Sequence, residues 1–396
     1  MSRESYVVLR RKSALVAPSA SLGESPRAGA RGRDDAENLE IVHADLSKAE
    51  HADLRRDPNT RAIARPMPMK LIQPRQSEPV PGPAAAPAWG VAAVGATTSP
   101  FDGAGITVAV LDTGIDPNHP AFQGVNLVRH NFTTEADDDQ HGHGTHCAGT
   151  IFGRDVGGQR IGVARGVSRA LIGKVLGAGG GSSATIAQAI EWAVNEGAHV
   201  VSMSLGIDFP GFVKELIEIQ HIDAVPATSI ALEAYRANVN LFSELADFVS
   251  VQGVFGQGTL IVAASGNESD RPNFEVAVSP PAASRGIVAV AALGQSPSGL
   301  NVAFFSNDQV NVAAPGVNVV SAFPGGGLRS MSGTSMATPH VAGVTALWAH
   351  KILAETGGVD QRMLLARMIA SGTTEPLAAG FQVDDVGAGL VQAPQA

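Results

Sequence analysis

From Gly105 onward, short runs of consecutive apolar residues alternate with segments whose apolar positions recur every three to four residues. The runs predict buried strands at Ile106–Leu111, Leu171–Leu176, Val200–Ser204, Leu260–Ala264, Ile287–Ala292 and Val310–Ala313. The periodic segments predict helices at His143–Phe152, Thr185–Asn195, Ser229–Val249 and Ser335–His350. Strands separated by helices in this way predict an α/β fold with a mainly parallel sheet, whose functional groups gather at the carboxyl ends of the strands.

The first 80 residues read differently. Strand candidates at Tyr6–Leu9, Leu39–His43 and Arg61–Arg65 surround a helix candidate at Ser47–Arg56, which Asp57-Pro58 ends. Ala17–Arg33 has no apolar period and is expected to be a loop. Seven prolines between Pro66 and Pro87 predict an extended, poorly packed linker at a domain boundary. Charge divides at the same place. Residues 1–80 carry 14 Lys+Arg and 11 Asp+Glu, a net +3, while the remainder carries 14 and 26, a net −12.

The whole chain of 396 residues has a net charge of −9, which argues against nucleic acid as a partner because phosphate binding needs clustered positive charge. With 44% hydrophobic residues it can bury a large core. The single cysteine, Cys147, excludes an internal disulfide and any zinc site of several thiolates. Ile287–Leu293 is among the longest apolar runs and falls far short of the roughly 20 residues of a membrane span, so no membrane partner is expected. The first residues contain no apolar h-region, which makes the cytoplasm the default expectation and export by another route the alternative.

Four polar motifs stand near strand ends. Val110-Leu111-Asp112-Thr113-Gly114 puts an acid after an apolar strand. An aspartic protease would need a second Asp-Ser/Thr-Gly or a symmetric dimer, and the chain has no second copy; a turn-capping Asp is the plainer alternative. His141-Gly142-His143-Gly144-Thr145-His146-Cys147 is similar to a binuclear zinc signature but has Thr145 where an Asp is required, so one histidine suits a base near neutral pH better. Gly177-Ala178-Gly179-Gly180-Gly181-Ser182 imitates a dinucleotide loop without its last glycine, and close approach of an added peptide strand is the other use of such glycines. The stretch Ser332-Gly333-Thr334-Ser335-Met336-Ala337-Thr338-Pro339 places Ser335 at the start of an apolar, buried helix, where serine is also an ordinary cap.

Taken together, Asp112, His143 and Ser335 supply an orienting carboxylate, a base and a nucleophile. Asp-Thr-Gly, His-Gly-Thr-His and Gly-Thr-Ser-Met-Ala-Thr-Pro, in this order, resemble the three signature motifs of the subtilisin-like serine proteases, from about Trp89 to Val391. The resemblance implies a three-layer α/β catalytic domain over residues 88–396 and a serine endopeptidase. Asn267, in Ala264-Ser265-Gly266-Asn267, then matches the oxyanion-hole asparagine. It further implies that Gly179, Gly180 and Gly181, with Ser204, Leu205 and Gly206, form the two backbone edges that hold a substrate peptide. Ala264, Ser265 and Gly266 would line the pocket for the residue before the scissile bond. His-Cys-Ala-Gly resembles the proteinase K branch, making Cys147 a buried thiol rather than a nucleophile.

By the same resemblance, residues 1–75 are similar to an inhibitory propeptide, a small α+β domain, followed by a linker at 76–87 and cut off somewhere between Leu71 and Ala88. The expected partners are protein or peptide substrates and this propeptide, with the enzyme a monomer. No cofactor is required. Ala121 follows His119-Pro120 where many relatives carry a calcium-binding acid, and Val156-Gly157-Gly158-Gln159 lacks Asp and Asn, so the usual calcium site is expected to be absent, while calcium elsewhere stays open. The segment Ile207 to about Ile230 looks longer than its counterpart and is either a specificity loop or inert surface. Glu268 either favours a basic substrate residue or is simply an exposed acid. A catalytically silent peptide-binding module on the same fold is the remaining alternative.

Overall fold

A computed structural model of the chain describes residues 3–11, 39–80, 86–252 and 258–396; the expected loop at Ala17–Arg33 lies outside them. The N-terminal unit pairs strand β1 (Glu4–Arg11) antiparallel with β2 (Leu39–Leu46) and with β3 (Thr60–Ala64), in the order β2-β1-β3. Val7, Val8 and Leu9 of the middle strand are buried together with Ala62 and Ala64. Helix α1 (Lys48–Leu54) lies between β2 and β3 and opens with a capping box. Ser47 Oγ accepts from Glu50 N (3.3 Å) and the Glu50 carboxylate accepts from Ser47 N (2.8 Å), which satisfies two of the helix's free donors.

The proline-rich stretch departs from its expectation. Residues 66–80 are extended, yet Met67, Met69, Leu71 and Ile72 are buried. Residues Pro68–Leu71 form β4, with Pro68 at the first position, where a missing N–H interrupts a ladder least. Gln76–Pro79 form β5, which pairs antiparallel with the strand Gly327–Ser332. Only after these two strands does the chain reach helix α2 (Trp89–Ala93).

The large unit continues with β6 (Thr107–Asp112), β7 (Asn126–Asn131), α3 (His143–Phe152), β8 (Arg169–Lys174), β9 (Gly181–Ser182), α4 (Ser183–Asn195), β10 (Val200–Met203) and β11 (Leu205–Ile207). Then come α5 (Phe209–Glu218), α6 (Ala224–Gln252), β12 (Leu260–Ala264), β13 (Ile287–Ser296), β14 (Gly299–Val302), β15 (Val312–Pro315), β16 (Val319–Phe323), β17 (Gly327–Ser332) and α7 (Thr334–Thr356). The central sheet runs β14-β13-β12-β10-β6-β8-β7, with β15 also on β13. All pairings are parallel except β13 with β14.

Helices α3 and α7 cover one face and α4 and α6 the other, which is why β6, β10 and β12 are buried along their whole length and are predominantly apolar. After β6 the chain turns outward to β7 and β8, then returns to β10 on the other side. The carboxyl end of β6 is therefore the crevice where functional groups are expected, and Asp112 stands there.

The mainly parallel α/β architecture expected from the sequence is present. Strand β7 was not anticipated, because Asn126-Leu127-Val128-Arg129-His130-Asn131 is a half-exposed sheet edge without an apolar run. The segment from Ile207 to Ile230 is mostly helix rather than loop. Asp208 caps α5, Pro210 sits in the first turn where its missing N–H costs nothing, and Phe212 and Leu216, four apart, bury one face.

Candidate active site

Asp112 and His143 arrive from β6 and from the first turn of α3. Their approach depends on Gly144, since a Cβ there would lie 2.2 Å from the Gly114 carbonyl oxygen. His143 Nδ1 donates to both Asp112 oxygens, at 2.8 and 3.0 Å, and both residues are buried. Asp112 Oδ1 also accepts from Thr113 N (2.7 Å). With Nδ1–H committed to the carboxylate, the neutral ring presents Nε2 as an acceptor, and that buried atom has no hydrogen-bond partner. Burial, the largest influence on His143, favours the neutral ring, but the Asp112 charge foremost outweighs it and holds the pKa well above 6.5.

Ser335 is the second residue of α7. Four positions later Pro339 lacks the N–H that would close the helical bond to the Ser335 carbonyl. That carbonyl accepts instead from Ser204 Oγ (3.2 Å) and from Cys147 Sγ (3.4 Å). Burial pushes the Cys147 thiol up, so it stays protonated and donates. Ser335 Oγ itself donates to the carbonyl of Ile72 at 2.8 Å, so Ser335 and His143 share no hydrogen bond in this arrangement.

Asn267 follows β12. Its Oδ1 accepts from Thr334 N (2.8 Å) and Thr334 Oγ1 (2.9 Å), which fixes the amide orientation and turns Nδ2 toward the cleft, where it donates to the carbonyl of Gln73 (2.9 Å). The Asn267 carbonyl accepts from the Arg75 guanidinium.

The two glycine-containing edges take up a strand, and the strand is β4. It lies antiparallel between β11 and β9, with Leu205 opposite Leu71, Gly206 opposite Lys70, and Gly181 opposite Met69. Ile72 N donates to the Ser204 carbonyl at 3.4 Å. Gly180, at φ +84°, leaves no room for a side chain, because a Cβ would sit 2.5 Å from the Met69 carbonyl oxygen. Nothing lies close to Gly179 on its side-chain side. Ser279 and Ile72 flank the side-chain direction of Gly206. Ala264, Ser265 and Gly266 are buried beside Asn267, but the hydrogen bonds of Ser265 and Gly266 run to Val290, Ser279, Asn307 and Thr334 and not to residues 68–73.

The three histidines of the second motif serve separate ends. His141 is exposed. His146 Nε2 reaches the Val319 and Arg329 carbonyls (3.0 and 3.1 Å), and burial lowers its pKa to about 3, so it ties α3 to β16 and β17 as a neutral ring. No imidazole cluster for zinc exists among them.

Sequence reasoning missed Asp139. Its buried carboxylate accepts from Thr113 Oγ1, His141 N, Gly142 N, Thr145 N and Thr145 Oγ1, between 2.7 and 3.0 Å. It thus binds the residue after Asp112 to the turn before His143. Asn307, also missed, receives the Glu268 and Ser269 N–H groups on its Oδ1 (3.0 and 3.1 Å) and so shapes the loop after Asn267. In the sequence, one is the last of three consecutive aspartates and the other a lone asparagine, and neither sits in a motif.

Residues 103–371 match the model of the subtilase family, Peptidase S8. The chain belongs to that family and is a serine-type endopeptidase. It is 33% identical to the thermostable alkaline protease of Halalkalibacterium halodurans over 78% of this chain and 73% of that one. It is 37% identical to Subtilisin Savinase of Lederbergia lenta over 66% of this chain and 84% of that one. The M-protease of Shouchella clausii is 38% identical, with the match covering 66% of this chain and 60% of the M-protease. No helix among the described residues is long and apolar enough to cross a membrane.

Proposed function

We propose that Asp112, His143 and Ser335 form the catalytic triad, that Asn267 and the Ser335 N–H form the oxyanion hole, and that the chain is a self-inhibited precursor whose residues 1–72 block its own cleft. The observation that carries this reading is the contact of Ser335 Oγ with the Ile72 carbonyl (2.8 Å) inside a strand held by β9 and β11. A chain that binds there as an added strand stands where a peptide substrate would.

In the proposed reaction Ser335 Oγ attacks a substrate carbonyl carbon while His143 Nε2 takes its proton, and Asp112 holds the ring tautomer and balances the imidazolium. Asn267 Nδ2 and the Ser335 N–H receive the oxyanion. His143 then passes the proton to the departing amine, and water, activated by the same ring, releases the acyl group. Each role is filled by a side chain or a backbone group, so the proposed reaction uses no cofactor.

The first bond cut would be Ile72–Gln73. The register of β4 on β11 brings the Ile72 N–H to the Ser204 carbonyl and its own carbonyl to Ser335, and the cut requires Asn267 Nδ2 to exchange the Gln73 oxygen for that of Ile72. Intact mass and N-terminal sequencing of purified protein are expected to find a new terminus at Gln73, with the full chain persisting in Ser335→Ala. A fluorophosphonate is expected to label Ser335 after this cut and not before. An active enzyme that still begins at residue 1 would overturn the precursor reading. Absence of labelling in the processed protein would overturn the triad and favour a silent peptide-binding module.

A further inference from the structure

The cleft carries an acidic feature that the triad does not use. Lys70, two residues before Ile72, extends its ammonium to Asp208 Oδ1 (3.3 Å) and to within 3.9 Å of Glu268 Oε1. The two acids come from separate segments of the chain: Asp208 follows β11, and Glu268 follows Asn267.

Both carboxylates are held by bonds of their own. Asp208 caps α5, accepting from Gly211 N (3.3 Å), and its N–H donates to the Pro68 carbonyl (2.9 Å), so cap and cleft edge are one structure. Glu268 Oε2 accepts from Asn307 Nδ2 (2.9 Å), while Asn307 Oδ1 accepts from Glu268 N (3.0 Å). Acids fixed in this way lose little freedom when a cation arrives, which is the condition under which a partly exposed ion pair contributes to binding.

We infer that Asp208 and Glu268 form a clamp that selects a basic side chain at the third residue before the scissile bond of a substrate. The inference rests on reading β4 as the substrate's place. It assigns a task to the helix that follows β11, since the α5 cap is one arm of the clamp. Lys70 side-chain exposure is 42%, with 31% at Asp208 and 42% at Glu268, so solvent and salt weaken the attraction and the selectivity is graded rather than absolute.

The test uses processed enzyme and three fluorogenic peptides that differ only in Lys, norleucine or Glu at that position. For two such pairs, kcat/KM is expected to favour Lys over Glu by about tenfold at low ionic strength and by less at 1 M salt. Asp208→Asn keeps a capping oxygen and Glu268→Gln keeps an acceptor for Asn307, so the double variant is expected to fold, to be labelled at Ser335 by the fluorophosphonate, and to lose the preference for Lys over norleucine. Equal cleavage of all three peptides by the parent enzyme, or a Lys preference that survives in the double variant, would overturn the clamp while leaving the protease reading intact. An enzyme that cleaves none of them and takes no fluorophosphonate would instead overturn the protease reading on which the clamp rests.

Discussion

At His143 two opposing effects meet, and their balance sets a pH dependence. The ring is buried, which favours the neutral form, yet the carboxylate at 2.8 Å holds its pKa well above 6.5. The proposed role of His143 as general base requires the neutral ring, so the kcat/KM of the processed enzyme is expected to rise with pH through an inflection above 6.5. Asp112→Asn removes the charge that raises the ring, and it should move the inflection downward while lowering kcat by about 10⁴-fold. The sign for stability is the reverse. A pKa raised by folding contributes stability in full below about 6.5, the ordinary histidine value, and that contribution is lost as pH climbs through the folded value. The melting temperature of Ser335→Ala, followed against pH, should show this loss on the alkaline side, and Asp112→Asn in that background should abolish it.

Asn267 belongs to the same scale. Its Oδ1 is occupied by Thr334, so truncation removes a donor from the cleft and also releases the first turn of α7. Asn267→Ala is expected to lower kcat by about 10²–10³-fold, the cost known for losing such a donor in a subtilisin, with KM nearly unchanged. Steady-state kinetics with unchanged kcat would remove Asn267 from the oxyanion role.

At the scale of elements, the narrow approach between β9 and the strand beside it depends on Gly180. Alanine there must adopt a positive φ and also meet the Met69 carbonyl oxygen. Gly180→Ala is expected to raise KM by about fivefold through loss of roughly 1 kcal/mol of strand pairing, with a smaller effect on kcat, as measured on long peptides that cover this edge. Dipeptide-like substrates that do not reach β9 should be spared.

Elements also show what the sequence could and could not reveal. β12 was legible because burial on every side forces an unbroken apolar run, α3 and the core of α7 because apolar and small residues recur along a buried helix, and Asp112, His143, Ser335 and Asn267 were legible because each stands in a short motif at the end of such an element. β4 was not. Met67, Met69 and Leu71 alternate with other residues as a strand should, but two neighbouring prolines marked a linker, and the partners that make it a strand, Gly181 and Leu205, lie more than a hundred residues away. Asp139 was hidden for a related reason. An acid becomes a buried acceptor only when the donors at Thr113, Gly142 and Thr145 are folded around it.

For the whole molecule, the opposite charges of the two halves give a modest attraction. Arg61 pairs with Glu244 of α6 at 3.1 Å, with the Arg61 side chain 44% exposed, and such pairs are worth at most about 1 kcal/mol. The strand laid through the cleft and β3 packed on α6 also join the two parts, and Asn238 Nδ2 donates to the Arg65 carbonyl (2.8 Å).

Because that strand is covalently continuous with the chain that carries Ser335, the serine and the bond it faces never have to find one another. On the proposed self-cleavage the reaction order of maturation follows: the first cut is expected to be unimolecular, with an effective molarity set by the fold and not by the amount of protein in the tube. Its half-time should be the same across a hundredfold dilution of freshly refolded precursor, and an active-site variant mixed with processed enzyme should mature far more slowly, at a rate proportional to enzyme added.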